Sequence, residues 1–421
     1  MQPRAAAINI IVITASKATV ASKPSILVSW YTDPRAIPPF VLAPGQVTVG
    51  PKVTPDQPQL MFAGRTPIGV YDLKVALASQ NLPTRYDLIV VYADASGFNF
   101  PLNLNAFDCP KVLVIGDTHH LRDPLRQVVE YAGDASFDFI VSMYNRQHLH
   151  WFRAAGYARV AWFPGLAVRH VPRPFRADRK PQVGFVGQSS SRHVRRTRLL
   201  DALRSSGVPV TAMTGTREAT AEVYADSVVS FNASLNGDLN LRVFEVLSAG
   251  GCLLTDRLTP QGGLELLLEE DSHYLAYDTP EELVDKARYL LRNPDHALNI
   301  ARTGNAAFLK SMMPSRRAAD FLAWVFDDRL DDLYRVPPPA EPIEPAVELM
   351  DRLRIYEALQ QLHLERERPR IVFDPAVPQV YRSDAADLRR LNVTVGPAQA
   401  GAEAADAVVS AGPHGVACTV A

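Results

Sequence analysis

The sequence predicts an α/β protein: two parallel-sheet domains facing each other across a cleft, followed by a C-terminal extension. Three observations predict it. Short apolar runs recur through both halves without polar alternation, as strands buried on both faces of a parallel sheet do. Helical or turn segments separate these runs at the rhythm of βαβ units, and hence of Rossmann-like domains. Between the halves lies AVRHVPRPFRADRKP (Ala167 to Pro181), rich in arginine and proline and without periodicity, which reads as an interdomain connector. A chain of 421 residues, 47% hydrophobic and 21% charged, has apolar material for two ordinary domains and an appendage. The expected partition is an N-terminal domain over 1–170, a hinge over 171–181, a second domain over 182–330, a proline-rich linker over 331–346 and an extension over 347–421.

In chain order, residues 1 to about 60 read as irregular apart from a strand in SILVSWY (Ser25 to Tyr31), because the prolines of DPRAIPPFVLAPGQ exclude a helix. The N-terminal MQPRAAAINIIVITASKATVASKP, with one arginine before a short apolar segment, reads as a first strand or a poorly ordered extension rather than a signal peptide. GVYDLKVALASQ, from Gly69, reads as a helix. Buried strands follow at LIVVYADAS (Leu88 to Ser96), KVLVIGDTHH (Lys111 to His120), FDFIVSMY (Phe137 to Tyr144) and YARVAWFPGL (Tyr157 to Leu166). Asp117 and His119, just past a strand's carboxyl end, either contact a substrate hydroxyl, with the histidine able to move a proton, or belong to a helix cap. His148 and His150 are read as packing along a helix.

Past the connector come a strand in QVGFVGQ (Gln182 to Gln188) and a helix in SSSRHVRRTRLLDALRSSG with Leu199, Leu200 and Leu203 on its apolar side. A strand in PVTAMTG and a helix in EATAEVYADS follow. The run SFNASLNGDLNLRVFEVLSAGGCLLTD (Ser230 to Asp256) is the most informative. It reads as a buried strand, a polar loop over Asn232 to Asn240, a short amphipathic helix over Leu241 to Ala249, a stop at Gly250 and Gly251, and a second buried strand. Polar loops at the carboxyl ends of parallel strands are where open sheets bind ligands. Arg242 and Glu245, three apart, face the same way, and a cation with a carboxylate at a helix start suits an anionic, hydroxyl-rich ligand. Gly187 ends a strand and Ser189 to Arg196 open a helix, so free amides plus Arg195 and Arg196 suit a diphosphate. Asn232, Asn236 and Asn240 offer hydroxyl partners or simply turn chemistry. After the prolines, VELMDRLRIYEALQQLHLERER (Val347 to Arg368) reads as a charged amphipathic helix, RIVFDPAV fits a strand, and the Ala/Gly-rich remainder has little that would demand a core.

The R-x-F-E-x-x-x-x-G-G pattern of Arg242, Phe244, Glu245, Gly250 and Gly251 resembles the C-terminal domain of glycosyltransferases related to the spore maturation protein CgeB, a branch of the group 1, retaining, GT-B-fold transferases. The similarity continues through YLAYDTPEELVDKARYLLRNPDHALNIARTGNAAF (Tyr274 to Phe308) and does not cover the tail. It implies a GT-B fold, a nucleoside-diphosphate sugar (UDP-, GDP- or dTDP-linked) as donor substrate, no permanently bound cofactor, and metal-independent departure of the diphosphate. It makes Arg195 and Arg196 the nearest matches to a phosphate-binding pair, and gives Glu245 the ribose hydroxyls. Where the wider class often has a second glutamate, this chain has Gly237 followed by Asp238, which can substitute at the sugar. Tyr224 either lies near the base or is an ordinary helix residue. Asp117 and His119 then face the transferred sugar or the acceptor.

A net charge of −1 gives no reason to expect bulk nucleic-acid binding, and three widely spaced cysteines argue against a disulfide framework or a zinc site. No aspartate pair is placed for a metal. No apolar run reaches the roughly 20 residues that cross a bilayer, so a cytoplasmic protein without stable membrane insertion is expected. The expected function is transfer of a sugar to an acceptor hydroxyl on protein, glycan, lipid-linked, small-molecule or modified nucleic-acid acceptors, which the sequence does not separate. The alternatives are a nucleotide-sugar epimerase on the same fold and a degenerate binding scaffold. Oligomeric state is left open.

Overall fold

The computed structural model describes residues 24–31, 40–52, 62–168, 170–189, 193–336, 346–366, 368–397, 405–412 and 415–421. The N-terminal segment and most of the proline-rich linker, on which two expectations fall, lie outside the described residues.

The first lobe runs β1 (Ile26–Trp30), β2 (Val47–Gly50), β3 (Phe62–Arg65), β4 (Gly69–Asp72), α1 (Leu73–Ala78), β5 (Leu88–Ala93), β6 (Asn99–Leu102), β7 (Lys111–Ile115), α2 (Pro124–Ala135), β8 (Phe139–Ser142), α3 (Leu149–Ala154) and β9 (Val160–Trp162). Seven of these strands form one parallel sheet, β3-β2-β1-β5-β7-β8-β9, and β4 pairs with β6 beside it. The central runs ILVSW and LIVVYA are buried at every position, which is why they read as unbroken apolar stretches. Two differences from the sequence reading have local causes. β2 and β3 are four-residue strands at one side of the sheet, with too little sequence to show a period. The helix expected from Gly69 starts at Leu73, because Asp72 caps it by accepting from the Val75 amide at 2.9 Å and the preceding residues pair with β6.

The second lobe runs β10 (Lys180–Val186), α4 (Val194–Ser205), β11 (Val210–Met213), α5 (Arg217–Asp226), β12 (Ser227–Phe231), α6 (Leu241–Ser248), β13 (Leu253–Asp256), β14 (Leu275–Tyr277), α7 (Pro280–Arg292), α8 (Pro294–Ser311) and α9 (Pro314–Asp327). Its five strands are parallel in the order β11-β10-β12-β13-β14. Caps visible in the sequence act as such: Asn240 accepts from the Arg242 amide at the start of α6, and Thr279 from the Glu282 amide at the start of α7. The glycine pair ends α6: Gly250 has φ +73°, and a Cβ on Gly251 would meet Ser230 Oγ at 2.7 Å.

α9, grouped by sequence with the second domain, packs on the first lobe. Phe321 and Trp324 join the core that contains Phe139 and Phe163, and Tyr334 stacks on Phe163 with ring centroids 4.4 Å apart. The chain thus crosses back after building the second sheet.

The extension is a third folded layer. It comprises α10 (Ala346–Glu365), β15 (Arg370–Phe373), α11 (Gln379–Ala385), β16 (Asn392–Val395), β17 (Ala407–Gly412) and β18 (Gly415–Val420), with a sheet of order β16-β15-β17-β18 in which only β17–β18 is antiparallel. The strand read in RIVFDPAV forms as β15, and Ala407 and Val409 of the Ala/Gly-rich remainder, expected to demand little core, are buried in one with its Ile371 and Phe373. α10 also departs from an amphipathic surface helix. Leu349, Leu353, Tyr356 and Leu359 are buried, and so are Arg352, Glu357, Gln360 and His363, because the helix lies against both lobes and its polar side chains bond into them. Glu357 accepts from the Leu125 amide at 2.7 Å and from Arg126 Nε at 2.6 Å.

Phe321→Ala should lower the unfolding free energy by roughly 3–5 kcal/mol through the cavity it leaves between α9 and the first sheet, as measured by chemical denaturation.

Candidate functional site

The carboxyl ends of both large sheets point at one another, and the polar loops that follow β7, β8, β10, β12 and β13 meet there. This is where parallel sheets place ligands. Polar contacts join the lobes here: His119 Nε2 lies 3.9 Å from Asp238 Oδ1, Arg146 Nη1 donates to Gln261 O at 3.1 Å, and the His120 and His193 rings are 5.8 Å apart.

On the second lobe the cationic centre is Arg242. From the first turn of α6 its Nε donates to Val186 O at 2.9 Å and its Nη1 to Asn232 Oδ1 at 2.9 Å, with the guanidinium 4.6 Å above the Phe185 ring. Asn232 is held in turn through Thr255 Oγ1 at 2.9 Å. Gly187 permits this arrangement: its φ is +151°, and a Cβ there would collide with Arg242 Nη2. Arg196 lies over the same ring at 5.7 Å and donates to Gln188 O at 2.8 Å. Burial, and then the Arg242 charge beside it, pull the Arg196 guanidinium down to about 10. His193 is pushed down to about 4 by burial and then by Arg196, His120 and Arg242. Cations gathered so closely at a strand end and a helix start are an anion-binding arrangement.

The Glu245 carboxylate, one turn along α6, has no hydrogen bond or ion pair among the described residues, and feels Arg242 and Arg217 only through their charge. Burial pushes its carboxyl above the ordinary range against the pull of Arg242 and Arg217. Although Arg242 lies three residues away on the same helix, the two form no salt bridge, and the carboxylate oxygens keep their capacity to accept from ligand hydroxyls.

Two expectations are corrected. Arg195 is buried, with Nη1 3.1 Å from Asp256 Oδ2 and 3.3 Å from Ser234 O; the acid at the end of β13 claims it. Tyr224 is fully buried beneath β10, its hydroxyl donating to Val186 O at 3.2 Å, so it supports the loop that holds Arg242 and presents no face to a base.

On the first lobe, Asp117 accepts from the His119 amide at 2.8 Å and pairs with His120 Nδ1. Burial opposes its ionisation, but the bond and charge of His120 outweigh this and hold the carboxyl well below the usual range. His120 is raised by the same bond against burial. His119 is buried, with Nε2 2.7 Å from Asn145 Oδ1 and Nδ1 accepting from Gln360 Nε2 at 3.0 Å. Asp238 closes its own loop by accepting from the Leu235 amide at 2.8 Å and faces His119 across the cleft. His148 is buried between Thr118 Oγ1 at 2.7 Å and Tyr356 OH at 2.9 Å. Sequence reasoning missed Asn145, Gln360 and His363, and no motif marks them: the first follows a strand-end serine, and the others look like the solvent face of a helix.

Residues 195–323 match a family model described as glycosyl transferase-like, and that stretch contains Arg196, Asn232, Asp238, Arg242 and Glu245. A search of curated proteins finds no match. Among solved structures, sucrose-phosphate synthase from Thermosynechococcus elongatus aligns with a TM-score of 0.50 and 12% identity, over 72% of this chain and 100% of that one. Anabaena HepE in complex with UDP-glucose aligns with a TM-score of 0.47 and 13% identity, over the same shares of 72% and 100%. TarM aligns with a TM-score of 0.44 and 11% identity over 57% of this chain, which spans only 54% of TarM. The fold is GT-B, with two parallel-sheet lobes facing across a cleft. Among the described residues, no helix is long and apolar enough to cross a membrane.

Gly187→Ala should displace the Arg242 guanidinium and weaken inorganic pyrophosphate binding about tenfold in calorimetric titration. The Asp117–His120 pair predicts a pH dependence. Because the folded-state value of His120 is raised, its contribution is complete below about 6.5, the unfolded value, and is lost as pH rises through the raised value. Wild-type melting temperature should therefore fall from about pH 6.5 upward relative to His120→Asn.

Proposed function

We propose that this chain transfers a sugar from a nucleoside-diphosphate sugar to an acceptor hydroxyl. The observation that carries the reading is the charge arrangement of the second lobe: Arg242 and Arg196 over one ring, the Gly187 backbone beside them, and an unbonded Glu245 carboxylate one helical turn away. Two guanidiniums and a glycine loop suit a diphosphate, and an unbonded carboxylate suits the ribose hydroxyls. The glycosyl transferase-like match over 195–323 supports sugar transfer rather than other nucleotide chemistry.

In the proposed mechanism the bond from the anomeric carbon to the diphosphate oxygen breaks as the acceptor oxygen bonds that carbon on the same face. The acceptor proton passes to the departing phosphate oxygen, so configuration is retained. Arg242 and Arg196 neutralise the charge that develops on the diphosphate, without a metal ion. Asn232 acts as a positioning residue by holding Arg242. Asp238, with His119 and Asp117 opposite, is assigned to the sugar and acceptor side of the cleft. A hexose as the sugar, a CgeB-like subfamily and a cytoplasmic site of action belong to the same proposal.

Calorimetric titration with UDP, GDP and dTDP tests the site. At least one should bind, Glu245→Ala should weaken it roughly 10- to 100-fold, and Arg242→Ala should do at least as much. If none binds, or if Glu245→Ala leaves affinity unchanged, the assignment is wrong.

A further inference from the structure

The C-terminal extension reaches both lobes at the cleft through two buried polar side chains of α10. Gln360 and His363, one turn apart on α10, share a helix face and are each 1% exposed. Gln360 spends its amide nitrogen on the first lobe, donating to Thr118 O at 2.7 Å and to His119 Nδ1 at 3.0 Å. His363 faces the second lobe, with Nδ1 2.6 Å from Asn236 Oδ1. Arg390 Nη2 lies 3.4 Å from the same nitrogen, but the amide oxygen is much the closer partner and only accepts, so Nδ1 carries the proton and Nε2 presents a lone pair.

Three polar atoms of this group have no partner among the described residues: Gln360 Oε1, His363 Nε2 and Asn236 Nδ2. Buried polar atoms are nearly always bonded, and three orphans on side chains gathered where α10 meets the two lobes mark a place for a polar ligand. Two are acceptors and one is a donor. A hydroxyl both donates and accepts, so vicinal hydroxyls satisfy all three, whereas a phosphate could use only the donor.

The position narrows the ligand further. Asn236 lies in the same loop as Asn232, which holds Arg242, and next to Asp238, which faces His119. Gln360 also lines a groove of about 700 Å³ with His119, Arg122 and Arg126, between the first lobe and α10.

We infer that α10 completes a hydroxyl-binding subsite in which Gln360, His363 and Asn236 hold the ring hydroxyls of the donor's sugar. The inference rests on the sugar-transfer reading above and adds residues beyond the region that matches the family model. It makes the extension part of the substrate site and gives Gln360 a second task, since the same side chain positions His119.

The test compares a nucleotide with its sugar conjugate. His363→Asn keeps an N–H to reach Asn236 and deletes the acceptor at Nε2; His363→Gln restores an amide at that reach. Full-length wild type and both variants are titrated calorimetrically with UDP and UDP-glucose, or with whichever diphosphate and conjugate the wild type prefers, after matched melting curves establish folding. For His363→Asn, UDP affinity should stay within about twofold while the conjugate binds about tenfold more weakly, and His363→Gln should recover most of the loss. Gln360→Met should show the same selective loss. If the conjugate binds both His363→Asn and Gln360→Met as it binds wild type, the orphaned atoms serve buried water only and the inference is overturned. A wild type that binds neither UDP nor any conjugate overturns the donor reading itself, a result distinguishable from the former.

Discussion

Much of the second lobe's chemistry depends on one guanidinium brought against one glycine. Arg242 is fixed by Val186 O, by Asn232 and by the Phe185 ring, so β10, β12 and α6 each supply a restraint. No side chain larger than hydrogen at position 187 leaves room for it. The cation is therefore preorganised without a carboxylate partner. Its neighbour Arg196 feels that charge strongly enough to be pulled down to about 10, after burial. Like charges held this close are costly alone and favourable around an anion. Tyr224 and Asn232, which read as possible ligand contacts, brace this arrangement from below.

A second constraint is the polar helix α10. It would be unstable as a buried element by itself, since Arg352, Glu357, Gln360 and His363 are all covered. Each is answered from elsewhere: Arg352 by Asp384 at 2.7 Å, Glu357 by Arg126 and the Leu125 amide, Gln360 by Thr118 and His119, and His363 by Asn236. The helix consequently ties both lobes together at the cleft. Arg389 and Arg390, further along the extension, bond to Leu258 O, Asp278 and Leu235 O of the second lobe, so the docking is continued beyond the helix.

Much of the frame was legible. ILVSW, LIVVYA and KVLVI are strands because a run apolar at every position has only a two-faced burial to satisfy, and LRVFEVLS is a helix because its apolar residues recur at helical spacing behind an asparagine cap. Glu245 and Arg242 could be singled out because both lie on one short helix whose start is marked. Less legible were partnerships across large sequence distances. Nothing near Arg195 announces that Asp256 will take it, and nothing in EVYADS tells a buried tyrosine from one that lines a site.

The sequence by itself determined the two sheets, the loop that carries the asparagines and the first turns of α6, since these follow from periodicity, caps and glycines within a few residues. Only the tertiary structure decided which arginine remains beside Gly187, which packs α9 onto the first lobe, and which turns α10 from a solvated helix into a bridge. The reason is physical: local pattern reports whether a side chain prefers burial, whereas the partner of a buried charge or amide depends on which strand ends and helix faces the folded chain brings together.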